Sequence, residues 1–522
     1  MSGPAANQPA GKGGLGAARA IEDGAGDATL VESGLPLASA GPPSAGASGT
    51  VGRGSWVVAA RLVSQGAQFL TMLAAARVMD LADFGAFALL SALAIGLARV
   101  SEAGWREYVM TAEDAEARAQ ANILALLCGL AALAIGILAS GWLYLVAQEP
   151  RGAAVTAPMA LWVLLTTLSA TQAGALVRDG RLAALAITQI AGELAGFAAA
   201  LAVFAAGGGI FGLVAAKLAS QLCVLAACLL ATRWFPVAPL RPAKAREAFH
   251  FSRRILATRL VAFAQDNASL FAIGFLVGPA GAGLFRAAGR LAGSLLELVA
   301  EPLRLLAWSD LRKGDPGRAA GRLLSLALLV STPLFVGLAV TAEEAVDILL
   351  GPGWGESAPL LGAFALAGLL SVAGVITEPL FVVKGRIDLV PPVTLAVSLV
   401  KLLALVAAAP FGIGWIAVAQ FAATLVTLPV ILHLQQRVGG LSLRQLTRGV
   451  LPCFLGAGAL VAAVLAARAG MPDAWSLPVR FGVLAGLGAA AYLATVALLL
   501  PGSAWRRAQP DPLDAAAAPR QS

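Results

Sequence analysis

Residues 55–78 read SWVVAARLVSQGAQFLTMLAAARV, an apolar run broken by one arginine and two glutamines before it reaches Arg77. A hydrocarbon core about 30 Å thick needs ~20 mostly apolar residues in a helix, so the run is as long as a membrane span. Arg61, Gln65 and Gln68 follow spacings of four and three, with Ser64 and Thr71 beside them, which puts a polar stripe on one face of that helix. A charge at the bilayer centre costs at least about 2.5 kcal/mol on insertion scales. The stripe therefore predicts a helix that turns toward a wet cavity, within a larger bundle, and not toward lipid.

The same ruler lays out fourteen candidate spans: 55–78, 83–104, 121–147, 154–176, 183–206, 210–232, 254–277, 283–307, 321–342, 358–383, 387–409, 413–436, 449–468 and 478–500. Composition agrees, since 59% hydrophobic and 13% charged residues with a mean hydropathy of +0.81 describe an all-α polytopic membrane protein and exclude a soluble enzyme. Residues 1–50, rich in Gly, Ala, Ser and Pro, are expected to be a disordered cytoplasmic tail, and 501–522 a second one. Met1 to Gly26 lacks the basic start and apolar core of a signal peptide. Cys128, Cys223, Cys228 and Cys453 fall inside apolar runs without ligand spacing, and His250 and His433 lie far apart, so neither a metal site nor a cofactor is expected. The net charge of +8 is that of cytoplasmic loops, which gives no reason to expect a nucleic-acid partner.

Cytoplasmic loops collect Lys and Arg. With the N-terminus inside, the inner loops hold eighteen basic residues, whereas the outer side keeps only Arg77, Arg151, Arg468 and Arg480. Both termini are therefore expected in the cytoplasm, and the acidic loop with Glu343, Glu344, Asp347 and Glu356 outside. The longest inner loop, 233–253, is basic and carries Pro236, Pro239 and Pro242, as a linker between two halves would. Sliding the chain by 198 residues pairs Arg61, Leu62 and Val63 with Arg259, Leu260 and Val261; it also pairs Gly85 with Gly283 and Phe87 with Phe285. This predicts two parallel six-helix bundles, 51–232 and 254–436, followed by two additional spans within 437–500, with a binding site between the bundles.

Six bases lie inside the spans: Arg61, Arg99, Lys217, Arg259, Arg290 and Lys401. On the seventh span Arg259 and Asp266 share a face with Asn267 on its flank, and on the eighth Arg286, Arg290, Glu297, Glu301 and Arg304 fall near one stripe. Glu193 sits near the middle of the fifth span. Arg77, Arg286 and Arg304 lie near span ends, where snorkelling suffices. Arg99 with Glu102, and Glu301 with Arg304, are spaced as intrahelical pairs. Lys217 and Lys401 have room to snorkel outward.

Several motifs carry a resemblance. ARVMDLADFGAFAL (Ala76–Leu89), LVGPAGAGLFRAAGRLA (Leu276–Ala292), GPGWGESAPLL (Gly351–Leu361), VKGRIDLVPPV (Val383–Val393) and FGIGWIAVAQ (Phe411–Gln420) occur in an order and spacing similar to bacterial polysaccharide transporters. These are the oligosaccharide-lipid flippases of the multidrug/oligosaccharidyl-lipid/polysaccharide superfamily. The resemblance implies two bundles forming a V, alternating access, and a central cavity lined by spans one, two, seven and eight. It also implies export of a polyprenyl-pyrophosphate-linked oligosaccharide across the bacterial inner membrane for surface or exopolysaccharide synthesis, without covalent catalysis.

On that basis Arg61 and Arg259 are expected to receive the pyrophosphate, helped by Arg99 and Arg290, because a guanidinium matches phosphate oxygens in a bidentate fork. Gln65, Gln68 and Asn267 are expected to hydrogen-bond sugar hydroxyls. Asp266 is the first candidate for coupling to a proton or sodium gradient, with Glu193 and Glu297 next. Expected partners are the lipid-linked oligosaccharide, membrane lipids, and the polysaccharide polymerase and export machinery. Two alternatives stand beside this reading. A multidrug-type ion-coupled antiporter would share the fold but need an acidic cavity, and a glycan polymerase or ligase would need sizeable outer loops.

Overall fold

The computed structural model describes residues 47–112, 114–233, 239–312, 314–472 and 475–499, with the side chains of 47–62, 254, 445 and 448 left aside. Every regular element among them is helical. The first half of the chain forms α1 (Ala47–Val78), α2 (Leu81–Glu102), the short α3 (Trp105–Thr111), α4 (Ala115–Leu145), α5 (Pro150–Arg178), α6 (Leu182–Ala205) and α7 (Ile210–Thr232). The second forms α8 (Pro242–Leu276), α9 (Pro279–Asp310), α10 (Pro316–Val340), the short α11 (Ala342–Leu349), α12 (Ala358–Val375), α13 (Thr377–Val383), α14 (Val390–Ala408) and α15 (Ile413–Gly439). A final pair, α16 (Leu443–Gly470) and α17 (Leu477–Leu499), packs on α10, where the Tyr492 hydroxyl donates to the Leu329 carbonyl at 2.8 Å.

Eleven helical segments among the described residues are long and apolar enough to cross a membrane. The expected fourteen is reached only by adding α1, α8 and α9, which match the spans in length but carry the polar and charged stripes read from the sequence. The tails at 1–46 and 501–522 lie outside the described residues, and residues 47–50 already belong to α1. The linker expected at 233–253 is shorter than its basic composition suggests. Pro242 occupies the first turn of α8, where its missing N–H is harmless, and the helix runs on unbroken through Arg253.

The two halves meet at both ends of the bundle. At the end with the α1–α2 turn, the repeat-matched Gly85 and Gly283 touch: a Cβ on Gly85 would lie 1.7 Å from the Pro279 carbonyl oxygen, and one on Gly283 would lie 2.7 Å from that of Leu81. Only glycine lets α2 and α9 backbones approach this closely. Trp354 closes the same end by donating its indole N–H to the Ala76 carbonyl at 2.8 Å, and Phe84 meets its ring edge-on at 5.1 Å. Arg77, expected to snorkel, donates to the carbonyls of Ile348 and Leu349, which end α11. Its charge thus faces the negative end of that helix.

At the opposite end, α8 packs along α2 and α3. The Phe263 ring fills the space beside Gly96, Ile255 packs on Gly104, and Tyr108 meets Phe251 at 5.5 Å. Buried Gln120 on α4 clamps the chain entering α8, donating to the Pro239 carbonyl at 2.7 Å and accepting from the Arg241 N–H at 3.0 Å. Exposed pairs Arg241–Glu116 at 2.7 Å and Lys244–Asp114 at 3.3 Å flank that clamp. The hydrogen bond to Asp114, with the nearby charge of Glu247, raises the Lys244 pKa above its ordinary value.

Candidate functional site: a cationic cavity between the halves

A cavity of about 690 Å³ lies between these two zones of contact. Its wall comes from α1, α2, α3, α5, α6 and α7, with Arg259 from α8 and Arg286 and Arg290 from α9. Six bases line it, Arg99, Arg106, Lys217, Arg259, Arg286 and Arg290, against three acids, Glu102, Glu107 and Glu193. Hydroxyls and amides of Ser64, Gln68, Thr71, Ser91, Thr166, Ser169, Gln189, Ser220 and Gln221 fill much of the remainder, with Phe84, Phe87, Trp162 and Phe197 as aromatic faces.

The charges are layered. At the end opposite the α1–α2 turn, Arg259 bridges two carboxylates, Glu102 at 3.1 Å and Glu107 at 2.6 Å, and its side chain is only 12% exposed. Arg99 stands 3.9 Å from Glu102, the intrahelical spacing anticipated. This arrangement depends on a break in the chain: Ala103 and Gly104 both adopt positive φ, 42° and 88°, so that α3 turns Arg106 and Glu107 back toward the cavity. Both residues lie beyond the second expected span, 83–104, so hydropathy alone puts them in an inner loop. The only signal was the charge spacing in EAGWRE, Glu102 to Glu107, beside a glycine.

Near the middle, Arg290 donates to Gln65 Oε1 at 2.7 Å and Gln68 Oε1 at 3.4 Å, and among the described residues it forms no ion pair. Gln68 also donates from Nε2 to Glu193 Oε1 at 3.1 Å. Arg290 and Glu193 each sit eleven residues from the start of their helices, Pro279 and Leu182, which places both about 16 Å deep. Lys217 and Arg286 lie seven residues from the starts of α7 and α9, about 10 Å deep. Neither snorkels away. Both line the cavity, and the Lys217 ammonium lies 5.5 Å from the centre of the Trp162 ring.

Of the sequence-derived candidates, Gln68, Arg99, Arg259 and Arg290 come together on the cavity wall with Glu193, and Gln65 braces Arg290. Arg61 belongs to α1, but its side chain lies outside the described residues. Asn267 does not join the group. It is 4% exposed, and its Nδ2 donates to the Phe263 carbonyl one turn back in its own helix. Asp266 is exposed and absent from the cavity wall, as is half-buried Glu297. A shared helical face fixes direction to within a stripe only, and α8 spends that stripe on α2 and α3. Arg304 and Glu301 form the intrahelical pair expected, 3.3 Å apart.

Comparison with known proteins places this architecture. A family model described as polysaccharide biosynthesis protein matches residues 74–359, more than half of the chain. The succinoglycan biosynthesis transport protein ExoT of Rhizobium meliloti (strain 1021) is 24% identical over 330 residues, which span 60% of this chain and 66% of that relative, just under two thirds. Among solved structures, the lipid II flippase MurJ in an inward closed conformation aligns over 85% of this chain and 98% of its own, with a TM-score of 0.63 and 12% identity. An inward-facing multidrug resistance MATE family transporter of the MOP superfamily aligns over 72% and 95%, with a TM-score of 0.53 and 13% identity. Both likenesses are of fold.

Proposed function

The chain belongs to the polysaccharide biosynthesis protein family, and from that premise we propose that it is a flippase carrying a polyprenyl-pyrophosphate-linked oligosaccharide across the bacterial inner membrane by alternating access. The observation that carries the reading is Arg290. A guanidinium about 16 Å along its helix, held by two neutral amides and, among the described residues, in no ion pair, is available to an anionic guest. Six bases against three acids give the wall the same sign. A cationic drug would meet repulsion there, which counts against the multidrug-type alternative.

In the mechanism the pyrophosphate enters from the cytoplasm beside Arg99, Arg106 and Arg259. It takes Arg259 from Glu102 and Glu107, and moves on to Arg290 and Arg286. The hydroxyls, amides and aromatic faces receive the sugar headgroup while the prenyl tail stays in lipid. No bond is made or broken, so the protein's task is desolvation and timing of access. The membrane lipids, polymerase and export machinery remain the expected partners.

Replacing Arg290 with alanine is expected to lower polymer export at least tenfold at unchanged protein level. Lysine should recover only part of it, because a point charge lacks the two-pronged fit to phosphate. The measurement is surface polymer together with lipid-linked oligosaccharide left on the cytoplasmic face. Wild-type export from the alanine variant would remove the pyrophosphate reading. The proposed orientation has its own check. Reporter fusions after Arg233 and after Arg437 should report cytoplasm and one at Glu344 the outside, and an external signal at Arg233 would reverse the bundle.

A further inference from the structure

Short α11 is gripped from two directions. Thr341 leaves helical geometry, with φ −105° and ψ 25°, so α11 departs from the line of α10. The first half holds its far end: Arg77 of α1 donates to the carbonyls of Ile348 and Leu349, and just beyond them the buried Trp354 indole N–H donates to the Ala76 carbonyl at 2.8 Å. The C-terminal pair holds its near end. Arg468, in the last turn of α16, donates from Nη2 to the Val340 carbonyl at 3.0 Å and to both oxygens of buried Glu344 at 2.8 and 2.7 Å. That one nitrogen ties the last residue of α10 to the first turn of α11.

We infer that α11 and the turn after it, Pro352–Ser357, are a latch for the outer end of the cavity, and that Arg468 is its positioning residue. This rests on the alternating access and the orientation proposed above. Separating the halves at this end must break the Arg77 and Trp354 bonds, because both cross from the first half to the second. The Arg468 bonds do not cross. Since α16 packs on α10, they stay within the second half and carry α11 along with it as the end opens.

The geometry gives Arg468 leverage over a contact it does not touch. An eight-residue helix is about 12 Å long, so a tilt of about 10° at Thr341 carries the carbonyls of Ile348 and Leu349 roughly 2 Å. Hydrogen bonds to carbonyls tolerate only a few tenths of an ångström, so the latch engages at one angle between α10 and α11. Arg468 and Glu344 set that angle. Val346 and Leu350 are buried beside them, but apolar contacts are not directional and hold the segment down without fixing its tilt. The last two helices thus lie away from the cavity wall yet bias which side it opens to.

The test is the labelling rate of one cavity thiol from each side of the membrane. Ser91 lines the cavity on α2, and Ser91→Cys is placed in full-length protein whose Cys128, Cys223, Cys228 and Cys453 are replaced by alanine. The impermeant reagent MTSET is added to right-side-out and to inverted vesicles. Arg468→Met combined with Glu344→Gln removes the positioning pair without stranding a buried charge, and Trp354→Leu breaks the latch directly. Both should speed labelling from outside about tenfold and slow it from inside, as a shift between two states requires. Faster labelling from both sides overturns the inference, because the variants have then only loosened the fold. A fast Trp354→Leu beside an unchanged double variant overturns the role of Arg468. No change in either, with the reference protein labelled from both sides, overturns the latch and leaves the flippase reading standing. Labelling from one side only in every variant instead removes alternating access, and this inference with it.

Discussion

Gly85→Ala is expected to be among the most damaging single-atom additions possible in this protein. The new Cβ would stand 1.7 Å from the Pro279 carbonyl oxygen and 2.8 Å from the Gly283 nitrogen, both backbone atoms that a rotamer change cannot move. Overpacking of this kind costs about 1–3 kcal/mol where side chains can give way, and more where they cannot. The α2–α9 crossing must open, which also pulls Phe84 from Trp354 and loosens the Trp354 bond to Ala76. We expect a clear drop in melting temperature of the purified protein and export reduced more than tenfold. Gly293→Ala on α9 is the control, since nothing lies within 4 Å of its added Cβ and alanine favours a helix by roughly 0.5–1 kcal/mol. Equal melting temperatures for the two variants would show that the crossing yields.

Arg259→Met should produce the second large effect, and a triple variant separates its two causes. Arg259 holds Glu102 at 3.1 Å and Glu107 at 2.6 Å where the Arg259 and Glu102 side chains are 12% and 11% exposed. Removing one member of a buried ion pair costs about 3–5 kcal/mol, because the remaining charge keeps its desolvation penalty and loses its partner. The single variant is therefore expected to be poorly stable. Arg259→Met combined with Glu102→Gln and Glu107→Gln removes the stranded charges as well, and should return the melting temperature close to wild type. Export should not return, because the first cation met by the pyrophosphate is gone. If the triple variant exports normally, Arg259 is a structural clamp and the entry site lies with Arg99 and Arg106. If it stays unstable, the guanidinium supports the fold by some means other than those two carboxylates.

Much of this was readable in the chain itself, because a bilayer makes sequence unusually explicit. Backbone groups in hydrocarbon must be satisfied within the segment, so an apolar run of ~20 residues has to be a helix, and the long helices follow the runs closely. Periodicity was informative for the same reason. An arginine cannot rest in lipid, so cost turned Arg99, Arg259 and Arg290 away from it, and spacing put Gln68 on a polar stripe; that their helices line one cavity was what the family resemblance implied, and the cavity wall contains all four. Even the repeat offset pointed to a physical contact, since the paired glycines Gly85 and Gly283 turn out to touch.

Tertiary structure decided what a stripe of residues on a helix cannot. Asn267 and Asp266 follow Arg259 by two turns on α8, yet the cavity takes only Arg259, because the position of α2 and α3 determines which part of that face is wet. Arg286 and Lys217 sit where snorkelling would suffice, yet both line the cavity, and Lys217 faces the Trp162 ring. Arg106 and Glu107 entered the site through a two-residue backbone turn at Ala103 and Gly104, a change of direction that charge patterning does not encode. The chain of contacts from Glu193 through Gln68 to Arg290 joins residues 125 and 222 positions apart. Sequence fixes which groups must avoid lipid, since that cost is local to each residue. Which of them share a cavity depends on how distant helices cross, and that is a property of packing alone.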